Sequence, residues 1–276
     1  MRSILIIAGK EVQEGLRNRW VVAATVLLAT LALTLTFLGS APTGNVGVEP
    51  LDIVIVSLSS LTIFLVPLIA LLISHDALVG EVERGTMLLL LSYPLARWQI
   101  LLGKFIGHVA ILAFATAIGY GCAAASLPLT GASVNRGSLA AFAAMIGSSV
   151  LLGGVFVAIG YLISALSANR GTAAGAAIGV WLFFVLLFDM ALLGLLVADQ
   201  GRTINASVLD AVLLLNPADA YRLLNLAGSG SVSMLAGMAG LAGDSALRPV
   251  VLLAALGVWV LLPLGLAGLA FSRREL

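Results

Sequence analysis

A chain of 276 residues that is 61% hydrophobic and 10% charged, with a mean hydropathy of +1.14, does not have the composition of a soluble domain, in which about half the residues are apolar and about a quarter charged. A membrane-spanning helix needs about 20 apolar residues, so this composition supplies six spans and excludes a large soluble catalytic domain. The formal charge of +1, from 14 Lys and Arg against 13 Asp and Glu, gives no basic surplus for nucleic acid, and the single cysteine, Cys122, excludes an intrachain disulfide.

In chain order, residues 2–19 place Ile4, Ala8, Val12, Leu16 and Trp20 at i, i+4 spacing, with Lys10, Gln13, Glu14 and Arg17 around the rest of the wheel. That pattern predicts an amphipathic helix lying in the membrane interface and bending near Asn18 into the first span. Long apolar runs follow at 20–38, 53–73, 105–127, 139–166, 171–196 and 250–271. They predict six transmembrane helices, of which the fourth and fifth must tilt, bend or emerge from the hydrocarbon layer. The first run exceeds the roughly 7–15 residues of a signal-peptide core and is read as a retained span. Lys and Arg concentrate on one side: Arg2, Lys10, Arg17, Arg19, Arg84, Arg97, Lys104, Arg170, Arg273 and Arg274, against Arg136, Arg202, Arg222 and Arg248 on the other. Positive loops stay in the cytoplasm, so both termini are expected there, and the chain is one transmembrane domain over 1–276.

Between spans two and three, segment 76–104 carries an acidic start, the apolar run 87–91, a Ser92-Tyr93-Pro94 turn and a basic end. Physics alone predicts a short amphipathic helix stopped at Pro94, either as a plain interfacial helix or as a firm knob presented to a partner. Between spans five and six, segment 198–249 reads as an external helical excursion. Asn216 and Pro217 form an N-cap and N1 pair for a helix running to Gly228, and a Gly/Ser hinge at 228–231 leads to an amphipathic stretch at 234–241.

Four features inside or beside the spans invite a functional reading. Gly171, Gly175 and Gly179 recur every four residues on span five and flatten one helix face, for tight internal packing or for an interface between two copies of the chain in a homodimer. Asp189 is the one carboxylate well within an apolar run, either a functional intramembrane charge or a hydrated group near the outer surface. Met234 and Met238 stand one turn apart and thioethers suit Cu(I), although paired Met ordinarily packs against lipid or protein. His75 and His108 lack a second ligand at coordinating spacing, so no metal site is expected. Neither Gly9-Lys10 nor Gly103-Lys104 sits in a Gly-x4-Gly-Lys-Ser/Thr loop, so a phosphate-binding loop is missing and the chain is not expected to be an enzyme or to bind a cofactor.

The run Gly80-Glu-Val-Glu-Arg-Gly-Thr86, then Leu90-Leu-Ser-Tyr-Pro94 and Arg97-Trp-Gln-Ile-Leu-Leu-Gly-Lys104, resembles the signature of ABC-2 type transporter permeases in order and spacing. The six-span layout extends the resemblance over the whole chain. It implies an all-α membrane protein of the bacterial inner membrane in which 76–104 is a cytoplasmic coupling helix seated in a separate ABC ATPase. The coupling residues would be Glu81, Glu83, Arg84, Gly85, Thr86, Leu90, Leu91 and Pro94, with ATP and magnesium held by the ATPase. The stretches 10–20 and 215–222 are similar to those of a narrower group, the permeases of the transporter that supports copper-site maturation of nitrous oxide reductase in denitrifying bacteria. That likeness implies a periplasmic β-helical partner, with Asn216, Pro217, Asp219, Tyr221 and Arg222 as candidates to face it. Two other functions stay open: an ABC-2 exporter of a lipid, drug or polysaccharide, and a membrane scaffold or sensor with no ATPase.

Overall fold

The computed structural model describes residues 2–39, 50–126, 136–199, 206–226 and 247–274. All regular structure among them is helical: α1 (Arg2–Leu16), α2 (Arg19–Gly39), α3 (Pro50–Ser74), α4 (Val79–Glu83), α5 (Thr86–Leu91), α6 (Arg97–Ser126), α7 (Arg136–Leu166), α8 (Arg170–Leu182), a π-helical turn (Phe183–Leu187), α9 (Phe188–Asp199), α10 (Ala206–Leu214), α11 (Pro217–Leu226) and α12 (Pro249–Arg273). Among the described residues six helices are long and apolar enough to cross a membrane, with α8, the π turn and α9 forming the fifth as one continuous rod.

Helix α7 is the axis of the bundle, with Leu152, Val155, Phe156, Val157, Ala158 and Tyr161 fully buried. Helices α3 and α12 lie along it, and α2 and α1 are carried on α6. Close approach is built from small residues. A Cβ on Gly160 would overlap the Ser74 side chain of α3, and one on Gly153 would overlap Leu112 of α6. Glycine at these two points lets the spans meet at backbone distance, where dispersion and interhelical hydrogen bonds replace the hydrophobic drive that lipid cannot supply.

The bend at Asn18 has a local cause. Its side-chain oxygen accepts from Trp20 N at 3.0 Å, its carbonyl accepts from Val21 N, and its own N–H returns to Gly15 O. Asn18 thus ends α1 and caps α2. The face that α1 buries is Ile7, Ala8 and Glu11, while Leu16 and Trp20 at the end of the apolar stripe are exposed. Gly103 and Gly107 of α6 are the reason: Ile7 and Glu11 lie against them so closely that a Cβ at either glycine would collide.

Span five departs from α-geometry where nothing in its sequence marks a break. Phe188 N–H reaches back to Phe183 O, five residues away, across the π turn, and the adjacent Phe184 carbonyl accepts 2.9 Å from Asn216 Nδ2. A carbonyl of the π turn is thereby bonded by a side chain from outside the span. Helix α11 supplies it from well inside the bundle. Its Tyr221 OH meets Ser149 Oγ of α7 at 2.9 Å, and Ser149 stands 17 residues before Leu166, roughly 25 Å along the helix at 1.5 Å per residue. Within the 198–249 excursion, α11 therefore tucks in among the spans. The hinge at 228–231 and the stretch carrying Met234 and Met238 fall outside the described residues.

Candidate functional site

The segment predicted as one helix between spans two and three is two. Gly85, at φ 72°, turns the chain left-handed between α4 and α5, a conformation glycine adopts without steric cost. The sharp elbow orients α5 so that Met87 is buried while Leu88 and Leu89 are 59% and 67% exposed. Arg84, Thr86, Tyr93 and Pro94 continue this outward surface, and Leu90 and Leu91 are half-buried against the core. The result is an apolar knob with one basic residue at its elbow.

The back of the knob is fixed to four other helices. Lys104 Nζ on α6 donates to Glu81 Oε1 at 2.7 Å and to Glu11 Oε1 of α1 at 2.6 Å. These side chains are only 4–11% exposed, so the attraction is little screened by water. His108 Nδ1, a turn further along α6, is 2.7 Å from the Tyr161 hydroxyl of α7. Ser164 Oγ of α7 accepts from both Leu78 N and Val79 N at 3.0 Å, satisfying free donors at the start of α4. Glu83 accepts from Arg170 N at 2.9 Å and pairs with the Arg170 guanidinium, which also donates to Gly80 O. Arg97 and Arg274 complete the same end, donating to carbonyls at the close of α12 and of α7.

Of the candidate coupling residues, then, Glu81 and Glu83 hold the knob to the bundle, whereas Arg84, Gly85, Thr86 and Pro94 lie on its open face. Sequence reasoning passed over Glu11, Lys104, Ser164 and Arg170 as partners. A charge on the inner side of α1 and a lysine entering span three were the visible signals, but only the fold shows that they meet.

A second polar cluster sits beside the π turn. Arg222 of α11 bridges Asp189 Oδ2 at 2.9 Å and Asp219 Oδ1 at 2.5 Å. Asn216 Nδ2 adds a hydrogen bond to Asp219 Oδ2 at 2.9 Å, and Asn216 Oδ1 accepts from Ala218 N. Asp189 Oδ1 is buried without a partner. Burial raises the Asp219 carboxyl to about 7, with Arg222 opposing the shift and Asp189 adding to it. Two carboxylates sharing one guanidinium can shed the surplus negative charge by keeping one proton. Asn216, Pro217, Asp219 and Tyr221 are buried in the protomer and Arg222 nearly so, so these five residues fasten α11 to span five and α7. A row of hydroxyls extends the cluster: Ser148 donates to Asn225 Oδ1, and Thr62 meets Tyr120 at 2.6 Å.

The glycine face of span five is open. A Cβ on Gly175 or Gly179 would meet nothing within 4 Å, and one on Gly171 only the side chain of Asn169, so this face does not serve packing inside the protomer. Ile178, Leu182 and Phe183 are exposed along the same span. His75 Nδ1 lies near the carbonyls of Leu71 and Leu72, and among the described residues no three His, Cys, Asp or Glu side chains gather as a metal site. Nor do those residues form a nucleotide-binding fold.

Comparison with known proteins adds the lineage. The family model for ABC-2 family transporter protein matches residues 5–276. The probable ABC transporter permease protein NosY of Stutzerimonas stutzeri is 47% identical over 275 residues, covering 99% of both chains. The protein of the same description from Pseudomonas aeruginosa is 46% identical over 280 residues, covering 100% of both. A knob anchored between spans two and three, six membrane-length helices and full-length similarity lead to one conclusion: the chain belongs to the ABC-2 family of transporter permeases and is closely related to NosY.

Proposed function

We propose that this chain is the permease subunit of an ABC transporter that couples ATP hydrolysis by a separate, NosF-like ATPase to a periplasmic maturation step, the assembly of the copper–sulfur site of nitrous oxide reductase. The observation that carries the reading is the α4–α5 knob, whose exposed Leu88, Leu89 and Tyr93 are backed by charged anchors to α1, α6 and α8. A partner that grips such a knob moves four helices together, because side-chain packing and short ion pairs transmit displacement without slack. With both termini and the knob in the cytoplasm, as the charge bias implies, a push on α4 reaches α8 through Glu83 and Arg170. From there it runs along span five to the Asp189–Arg222 bridge and α11. The outer side of the bundle, moved through this bridge, would act on a NosD-like periplasmic β-helical protein. The open Gly175–Gly179 face supports a homodimer through span five, which gives two knobs for two ATPase subunits. Mechanical transmission suits a bundle whose buried ion pairs, Lys104 with Glu11 and Glu81 and Arg222 with Asp189 and Asp219, tie helices to one another.

The test is assembly with the ATPase. Leu88→Glu with Leu89→Glu changes only exposed positions, so the permease should insert and dimerise normally while losing co-purification with the ATPase and failing to stimulate its hydrolysis. Glu83→Lys with Arg84→Glu should uncouple by another route, loosening α8 and reversing the charge at the elbow. Retention of the ATPase, its rate and nitrous oxide reductase maturation by both variants would overturn the assignment.

A further inference from the structure

An open cleft of about 680 Å³ lies between α1 and α2 on one side and α3 on the other, beneath α4. Its volume falls within the roughly 300–1,000 Å³ of small-ligand sites. One wall is apolar, with Ala24 and Leu27 of α2 across from Leu65, Leu68 and Leu72 of α3. The mouth is apolar too, and Trp20, Leu27 and Leu72 are 79%, 46% and 50% exposed there. At the α4 end the lining turns ionic. Glu11, Glu14, Asp76 and Glu81 face Lys104 and Arg84, four acids against two bases, a net of −2 with the histidines neutral.

Those charges are unevenly satisfied. Lys104 is fully engaged by Glu11 and Glu81, Glu14 is paired at 3.4 Å with Lys10 of its own helix, which leaves the acidic surplus at Asp76 and Glu81, and Arg84 makes no ion pair among the described residues. Glu81 is 8% exposed, yet its Oε2 has no hydrogen-bond partner. A buried carboxylate oxygen without a donor is costly, so the acidic end favours an occupant that brings N–H donors and positive charge. Arg84, exposed at the rim, favours an anionic group on the same occupant. The apolar wall and the apolar residues exposed at the mouth favour an occupant that also carries a hydrocarbon chain.

We propose that this cleft binds a phospholipid with a primary-ammonium head group. Its ammonium donates toward the carboxylates around Glu81, its phosphate rests on Arg84, and an acyl chain lies along the Leu65, Leu68 and Leu72 wall. A trimethylammonium head has the charge but no N–H, and a glycerol head has no cation, so both fit less well. The occupant would bridge α1, α3 and α4, the elements at the back of the knob. The site itself does not depend on what the ATPase drives.

Trp20 at the mouth makes the test spectroscopic. The full-length chain is reconstituted in nanodiscs containing phosphatidylethanolamine or phosphatidylcholine with identical brominated acyl chains. The Trp20 contribution to emission is isolated as wild type minus Trp20→Phe. One charge-assisted hydrogen bond corresponds to about a tenfold preference, so phosphatidylethanolamine should quench that component at about one-tenth the mole fraction phosphatidylcholine requires. Glu81→Gln should reduce the preference, and Ala24→Phe, which fills the apolar wall from a membrane-facing helix, should abolish it even if Glu81→Gln proves unstable. Soluble glycerophosphoethanolamine should not relieve the quenching. Equal quenching by the two lipids, or a preference that survives Ala24→Phe, would overturn the proposal. So would relief by the soluble head group, which would assign the site to a free phosphoamine. No ATPase enters the assay, so its outcome is separate from that of the coupling experiment.

Discussion

Replacing Lys104 by Met isolates the electrostatic anchor of the knob. In the native protein one ammonium, 4% exposed, serves two carboxylates that are each 11% exposed, at 2.6 and 2.7 Å. Methionine keeps most of the side-chain volume but leaves Glu11 and Glu81 facing each other with no counter-ion. Removing one partner of a buried ion pair costs about 3–5 kcal/mol, chiefly from the charge left stranded, and so little exposure places the loss toward the upper part of that range. At about 2–4 °C per kcal/mol for a chain of this order of size, a loss of about 4–5 kcal/mol should lower the unfolding midpoint by roughly 8–20 °C, measured by tryptophan fluorescence in one fixed detergent. The triple variant Glu11→Gln, Lys104→Met, Glu81→Gln removes the whole ionic set and should recover to within about 1–2 kcal/mol of wild type, since replacing all members of a buried ionic group is often close to neutral. That stable variant should still stimulate its ATPase poorly, because α4 then lacks its charged tie to α1 and α6. A Lys104→Met midpoint equal to wild type, or a triple variant no more stable than the single one, would refute the reasoning.

The Asp219 carboxyl, raised by burial from 3.8 to about 7, is bound to its proton more tightly in the folded protein than in the unfolded chain. Its contribution is complete below about pH 4 and is lost as pH rises toward 7; Asp219→Asn should flatten the stability profile across that window in thermal unfolding at stepped pH. Arg222→Met strands Asp189 and Asp219 and should cost about 3 kcal/mol or more, whereas Asp189→Asn leaves the Arg222–Asp219 pair and should cost about 1 kcal/mol; comparable midpoints would exclude the shared-guanidinium arrangement. Gly175→Leu with Gly179→Leu should leave the protomer within about 0.5 kcal/mol of wild type but shift the homodimer to monomer by light scattering, while Gly153→Leu, which meets Leu112, should destabilise the protomer itself.

The span count, the break at Asn18 and the exposed apolar knob before Pro94 were legible because each rests on local physics. A membrane helix must satisfy its own backbone and bury a run of apolar residues, an Asx cap ends one helix and starts another, and glycine with proline punctuates a short segment. The elbow at Gly85, which divides the expected helix in two, was not read from the sequence. The family signature around Glu81 to Lys104 was readable, but it did not distinguish the glutamates that bind the knob to the bundle from the neighbours that face outward.

Pairing over distance was left to the tertiary structure. Glu11, Glu81 and Lys104 belong to three elements separated by up to 93 positions, and hydropathy carries no record of which charges will neutralise one another. The inner face of α1 was decided by Gly103 and Gly107 on another helix. The π turn in span five has no Gly or Pro to announce it; it occurs together with the Asn216 side chain that donates to its Phe184 carbonyl. Asp189, a lone acid in an apolar run by sequence, becomes one half of a bridge only when α11 folds inward with Arg222. Sequence by itself determined which stretches leave water, because that is a sum over neighbours along the chain. The fold decided which polar groups go with them, because a charge enters a low-dielectric interior only where a distant partner is already in place.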